Sequence, residues 1–261
     1  DSTRVYIAYF DRFNEQIRFF FGTSAGLKND EYKPDVTGQL ANITAEEGSI
    51  KSDTAADGKG YDNHHGYESS SARYSVVAGV EYPDDGNTAS PTGNTAGEYL
   101  DIAVIPGENQ TGDVVVFVWY DGTNLNYTYR YGTKDANNAK DAKAAGVDSM
   151  WGKTKQIFTD GIGEHCAVTV DAKKGIHIAA YSRSGADLYY AYLSDKDDTT
   201  PKTCLVDSYS QVGKYISIDV ALNSAGNAVP YISYLGDGFG GLPKVAYLPG
   251  GVNSTTTSLP D

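Results

Sequence analysis

The side chains able to do chemistry are few and widely spaced. Cys166 and Cys204 are the only thiols, and His64, His65, His165 and His177 the only imidazoles. His64 and His65 are adjacent in DNHHGYE. Neighbours on an extended chain point to opposite sides, so this pair reads as a solvated loop rather than as two ligands of one ion. Two cysteines without a histidine at ligand spacing make no zinc site. The stretches DGKGYDN, PDDGN and SDKDDT are rich in oxygen donors, and Asp57, Asp62, Asp84 and Asp85 are the candidate calcium ligands. Calcium needs about six to eight oxygens, and none of these stretches carries the EF-hand loop with its closing Glu. Asp-Gly and Asp-Asn are also ordinary turn formers. The expectation is therefore no cofactor, with calcium as the alternative. The sequence contains no G-x-S-x-G elbow, Walker-type phosphate loop or H-E-x-x-H.

Aromatic side chains are the richer signal, with 21 tyrosines in 261 residues. Tyr9, Tyr120, Tyr181 and Tyr234 close similar short apolar segments, and a recurring slot is most simply a packing position with its hydroxyl satisfied at the rim. Trp119 and Trp151 have no counterparts in those segments. They, with Tyr120, Tyr181 and Tyr234, are the candidate ligand-binding residues, because exposed Trp and Tyr stack on sugar rings or anchor protein partners. His165 matches Tyr99 and Tyr215 in position, and His177 matches Phe117 and Tyr231. Exchange of His for Tyr or Phe points to packing rather than catalysis.

These residues must be positioned by strands, because helical periodicity is weak throughout. The best helical candidate, Asp135 to Ala145, is short. Three segments align: GEYLDIAVIP from Gly97, GEHCAVTVDA from Gly163 and GKYISIDVAL from Gly213. Each is followed by a turn, a strand ending in Tyr, a polar turn and a Tyr-rich strand. Alternation of Ile216, Ile218 and Val220 turns one face inward. A further strand stands ahead of each unit, at Arg73 to Tyr82, Lys155 to Thr159 and Thr203 to Tyr209. About four strands per unit of roughly 50 residues is the arithmetic of a propeller blade. The fold expected is all-β, a β-propeller of four-stranded blades, with about three and a half blades in this chain. A partial blade spans 3–22, a polar excursion 24–71, blades about 73–132, 151–194 and 203–249, and a tail 250–261. The partial blade lacks its first two strands, so a second chain or further sequence is expected to complete the ring.

The copies HIAAYSRSGADLYYAYL (His177 to Leu193) and VFVWYDGTNLNYTY (Val116 to Tyr129) resemble the repeats of exported bacterial β-propellers. That resemblance covers about two thirds of the chain and implies a fold and an extracellular, cell-surface or periplasmic setting; it implies no activity. An exported chain permits a disulfide, and Cys166 and Cys204, placed in consecutive blades, are the expected pair. Closing that loop is worth on the order of 3 to 4 kcal/mol in the chain-entropy model. Two separately buried thiols are the alternative. Asn42, Asn109, Asn126 and Asn253 head Asn-x-Ser/Thr sequons, which matter only where glycosylation machinery is met.

Composition excludes several classes. With 34 acidic against 21 basic residues the net charge is −13, which repels polyphosphate and anionic lipid, so no nucleic-acid partner is expected. No apolar run is long enough to span a bilayer. The reading is a non-enzymatic extracytoplasmic binding or scaffold module for a glycan or protein. A polysaccharide-degrading enzyme with acidic residues in the funnel is the second reading, although Asp101, Asp171 and Asp219 sit at different offsets in their strands. A structural subunit of a surface assembly is the third.

Overall fold

The computed structural model describes residues 4–11, 16–23, 51–52, 73–79, 97, 99–107, 113–131, 154–236 and 241–260. Among them every regular element is a strand, no helix could cross a membrane, and no sheet closes on itself into a barrel. The chain divides into two compact units.

The first unit holds a sheet ordered β1-β2-β4-β3, from β1 (Arg4–Asp11), β2 (Gln16–Thr23), β3 (Lys51–Ser52) and β4 (Arg73–Gly79). β1 and β2 pair antiparallel from Arg4↔Thr23 to Asp11↔Gln16, and β2 continues onto β4. Ile17 is buried and Ile7 exposed.

The second unit contains three antiparallel meanders. The first is β5 (Leu100–Ile105), β6 (Val114–Tyr120), β7 (Leu125–Tyr131) and β8 (Lys155–Phe158). The second is β9 (Ile162–Val170), β10 (Ile176–Ser182), β11 (Asp187–Leu193) and β12 (Lys202–Asp207). The third has three strands, β13 (Val212–Leu222), β14 (Ala228–Gly236) and β15 (Leu242–Tyr247). Strands β6 and β10 are buried at every residue, as near-continuous Val, Ile, Phe and Ala runs demand. Turns follow local chemistry. Asp121 accepts from the Thr123 and Asn124 amides and from the Asn126 side chain, with Gly122 at φ +95° beside it.

The grouping of strands departs from the sequence expectation at one recurrent place. Lys155 to Thr159 and Thr203 to Tyr209 do not open their units; β8 and β12 pair with β7 and β11 and close the sheet before. Likewise β4 pairs with β2. A strand's partner is set by the turn and by side-chain burial, and these short strands carry no mark of which neighbour they join.

The same regrouping corrects the expected disulfide: Cys166 and Cys204 are both free thiols. They lie in one sheet, on its two edge strands β9 and β12, with β10 and β11 between. Three strand spacings separate them by roughly 14 Å, against a Cα limit of about 7 Å for a disulfide. Burial pushes both thiols upward, Cys204 to about 11, and Cys166 further, with Asp101 adding to the effect. They are packed as small apolar residues.

Sheets of the second unit pack face to face. Ala167, Ala179, Leu188, Tyr190 and Tyr192 of the second meander meet Val212, Ile218, Ile232 and Tyr234 of the third. Polar stitches reinforce the joints. Asp101 accepts from the Ile102 amide at 2.9 Å and, across to the next sheet, from the Val168 amide at 2.8 Å. Asp207 accepts from the Tyr234 hydroxyl at 2.7 Å and from Lys244.

Candidate functional site

The aligned glycines stand at or just before the first strands of the three meanders. Gly97 lies ahead of β5, and Gly163 and Gly213 are the second residues of β9 and β13. The latter two let their strands press against the sheet before. A Cβ on Gly163 would lie 2.3 Å from the Tyr120 ring, and one on Gly213 would lie 3.1 Å from the Leu188 Cα. Two residues on, β9 and β13 each carry a β-bulge, where pairing jumps from Ala167 to Glu164 and from Ser217 to Lys214. The bulges put His165 at φ +50° and Tyr215 at φ +52°, left-handed values that a residue with a Cβ adopts at a cost of order 1 kcal/mol or more. They also re-aim both rings.

The result is a row. The Tyr99 and His165 ring centroids are 4.8 Å apart, the His165 and Tyr215 centroids also 4.8 Å, and Tyr181 lies edge-on 6.1 Å from His165. One ring from each sheet, Tyr99 just before β5, His165 in β9 and Tyr215 in β13, is thus in contact with the next. Tyr99 and His165 are partly buried, and Tyr215 is 70% exposed. Charges border the row: Lys214 lies 5.9 Å over the Tyr181 ring, and Arg183 pairs with Glu164 at 3.2 Å. Burial, with Lys214 beside it, lowers the His165 pKa against the opposing pull of Glu164, so the ring is neutral at physiological pH. Neutral rings on a fixed backbone offer stacking faces, with cationic and acidic groups at the margin.

The residues singled out from the sequence fare differently. Trp119 is fully buried, and Tyr120, Tyr181 and Tyr234 are 8%, 5% and 5% exposed, so none presents a ring face to a ligand. Trp151 lies outside the described residues, as do Asp57, Asp62, Asp84, Asp85, His64, His65 and the segment Asp135 to Ala145. The repeated tyrosine slot also splits. Ala179 and Ser233 are register equivalents, so Tyr181, two residues after Ala179, faces one way and Tyr234, one residue after Ser233, faces the other. The sequence singled out Tyr99, His165 and Tyr215 only as packing positions; their shared offset from the aligned glycines was the signal that they would meet.

A second polar cluster is closed. His177 contacts Asp171 at 3.1 Å through Nε2 and the Tyr190 hydroxyl at 2.7 Å through Nδ1, with His177 and the Asp171 side chain 0% and 2% exposed. Asp171 also accepts from the Lys173 and Gly175 amides, closing the β9–β10 turn. Burial works to raise the Asp171 carboxyl, but His177 and the two amides bring it below the ordinary carboxylate range. Burial drives the Tyr190 hydroxyl strongly upward, so it stays protonated. This cluster orients a turn and admits no substrate.

The carboxylates proposed for hydrolysis do not converge. Asp101 binds two amides between sheets, Asp171 binds His177, and Asp219 is exposed. In SDKDDT, Asp198 is taken by Ser194, Thr200 and Lys202, and Asp197 accepts from Tyr129 at 2.6 Å. Among the described residues no group of three or more His, Cys, Asp or Glu could hold a metal ion. Asn126 is 0% exposed and Asn253 donates to Asn227. The chain matches no known protein family and no curated protein.

Proposed function

We propose that this chain is a β-propeller or a portion of one, exported to the extracellular, cell-surface or periplasmic space, where it binds a glycan or protein or scaffolds an assembly. The sheets of the second unit act as blades, and a second chain or further sequence completes the ring. One observation carries the reading: three successive sheets each contribute a ring to the row Tyr99, His165, Tyr215, from β9, β13 and the residue just before β5. Two of those rings are held on left-handed backbone, and strain of that kind persists where surrounding structure over-determines it. Aromatic faces bordered by charge suit the apolar face and hydroxyl rim of a sugar, or a protein side chain.

A glycan array run beside product analysis on polysaccharide pools tests it. The expected result is retention of a glycan without release of product, weakened about tenfold or more by Tyr215→Ala, the loss of one stacking contact. Polysaccharide cleavage would move the chain to the enzyme reading. Absence of glycan retention together with a stoichiometric protein partner on native purification would move it to the structural one.

A further inference from the structure

The two described histidines are used in opposite ways. His177 has both ring nitrogens bonded, to Asp171 and to the Tyr190 hydroxyl, and is sealed from solvent. His165 is only partly buried, and among the described residues neither of its ring nitrogens has a hydrogen-bond partner. Its neighbours are the rings of Tyr99, Tyr215 and Tyr181. Packing gives no reason for an imidazole here, because Tyr99 and Tyr215 fill the equivalent positions of the other repeats, and Tyr215 takes the same left-handed backbone. What the imidazole adds at the centre of the row is one donor and one acceptor nitrogen in the ring plane.

We propose that His165 is the specificity-determining residue of the row, selecting an uncharged glycan whose hydroxyl donates to the acceptor nitrogen while a sugar ring lies against Tyr215. This deepens the reading above and rests on its glycan arm. The charges at the row are already engaged: Arg183 pairs with Glu164, and Lys214 lies over the Tyr181 ring. An acidic sugar would meet Glu164 beside His165 on a chain of net charge −13, and a carboxylate has no proton to donate. A cationic ligand would meet Lys214. A hydroxyl suits a neutral imidazole without either repulsion. The titratable groups around His165 are Glu164 on its own strand, Tyr181 of β10, Lys214 and Tyr215 of β13, and Tyr99. Burial and Lys214 favour the neutral ring, and Glu164 opposes them. Protonation in acid fills the acceptor nitrogen and sets a cation near Lys214, so affinity falls with pH.

The test titrates the full chain with neutral glucan, mannan and galactan oligosaccharides and with an oligogalacturonate, from about pH 7.5 to about pH 4.5. A neutral oligosaccharide should bind and the uronate should not. Affinity should be level at neutral pH and fall by up to about tenfold per pH unit below the pKa of the free imidazole, which lies under its ordinary 6.5. The His165 ring resonance, followed by NMR, should titrate at lower pH when the oligosaccharide is bound. His165→Phe keeps a ring in the row without its nitrogens; it should bind about five- to tenfold more weakly, with a flat pH profile. Should that variant not fold, the wild-type pH profile and the imidazole titration decide alone. Preference for the uronate, a neutral glycan bound with no pH dependence and an unshifted imidazole, or a folded His165→Phe that binds like wild type overturns the proposal and leaves the glycan reading standing. Binding of no glycan at all overturns both.

Discussion

The second and third meanders share one repeat pattern, with four strands and three, and contrast most in one face. The third sheet covers that face of the second, while the equivalent face of the third is exposed. In β9–β12 the position after Ala167 and Val168 is Thr169, its cross-strand partner is His177, and the row is sealed with a hydrogen-bonded imidazole. In β13–β15 the matching positions are Asp219 and Tyr231, and the row stands in water. Identical pleat and register thus support either a buried polar network or an exposed tyrosine ridge. Residue type alone does not say which face is core; the next sheet decides.

The largest expected effect lies in the covered sheet. Ile178→Ala removes a fully buried side chain between sheets and should cost roughly 2 to 5 kcal/mol in urea unfolding. A loss under 1 kcal/mol would mean that β10 is not packed on both faces. Asp171→Ala should come next, at about 2 to 3 kcal/mol at neutral pH, because it leaves buried His177 and two turn amides without their acceptor.

Acid should expose the same contrast. Asp171, Asp197, Asp198 and Asp207 are all held below their ordinary value by hydrogen bonds, with a lysine among the donors at the last three, that outweigh the upward push of burial. Below about pH 4 the unfolded chain then binds more protons than the folded one. Their stabilisation is complete above that range and is lost as pH falls through it. A pH series of unfolding midpoints should drop steeply there, and less steeply in Asp171→Asn; parallel curves would remove Asp171 from the account.

Asp101→Ala tests the first joint. It should cost about 1 to 2 kcal/mol, by freeing the Val168 amide between two sheets. Tyr231→Ala on the exposed face of the third meander should cost under about 0.5 kcal/mol in urea unfolding. Should Tyr231→Ala cost as much as Ile178→Ala, the two faces would not differ as described.

Much of the scaffold was legible in the sequence. Glycine-led alternation gave three units and an all-β chain, because burying one face imposes a period of two. The joining of β8 and β12 to the preceding sheets was not legible, since nothing in KQIF or KTCLVD distinguishes one neighbour from the other. That single ambiguity also misplaced Cys204 and produced a disulfide that the sheet width forbids. The row Tyr99, His165, Tyr215 was half legible. Its members share an offset, but a bulge puts two residues opposite one, and spacing along the chain does not register that. Tyr234 failed for a plainer reason: it stands one residue earlier in β14 than Tyr181 does in β10, which puts it on the opposite face.

Asn126 carries a consequence for how the protein is made. It heads an Asn-Tyr-Thr sequon, yet its side chain is fully buried and donates to Asp121 at 2.8 Å, beneath the β6–β7 turn. A glycan added co-translationally would occupy the space that β7 must enter, so modification and folding exclude each other at this residue. Passage through a glycosylating secretory pathway should give two pools, a folded chain unmodified at Asn126 and a modified chain that fails quality control. Asn126→Asp would be blocked from modification but would set a second carboxylate against Asp121. Asn126 is thus a sequon that the folded chain keeps out of a transferase's reach.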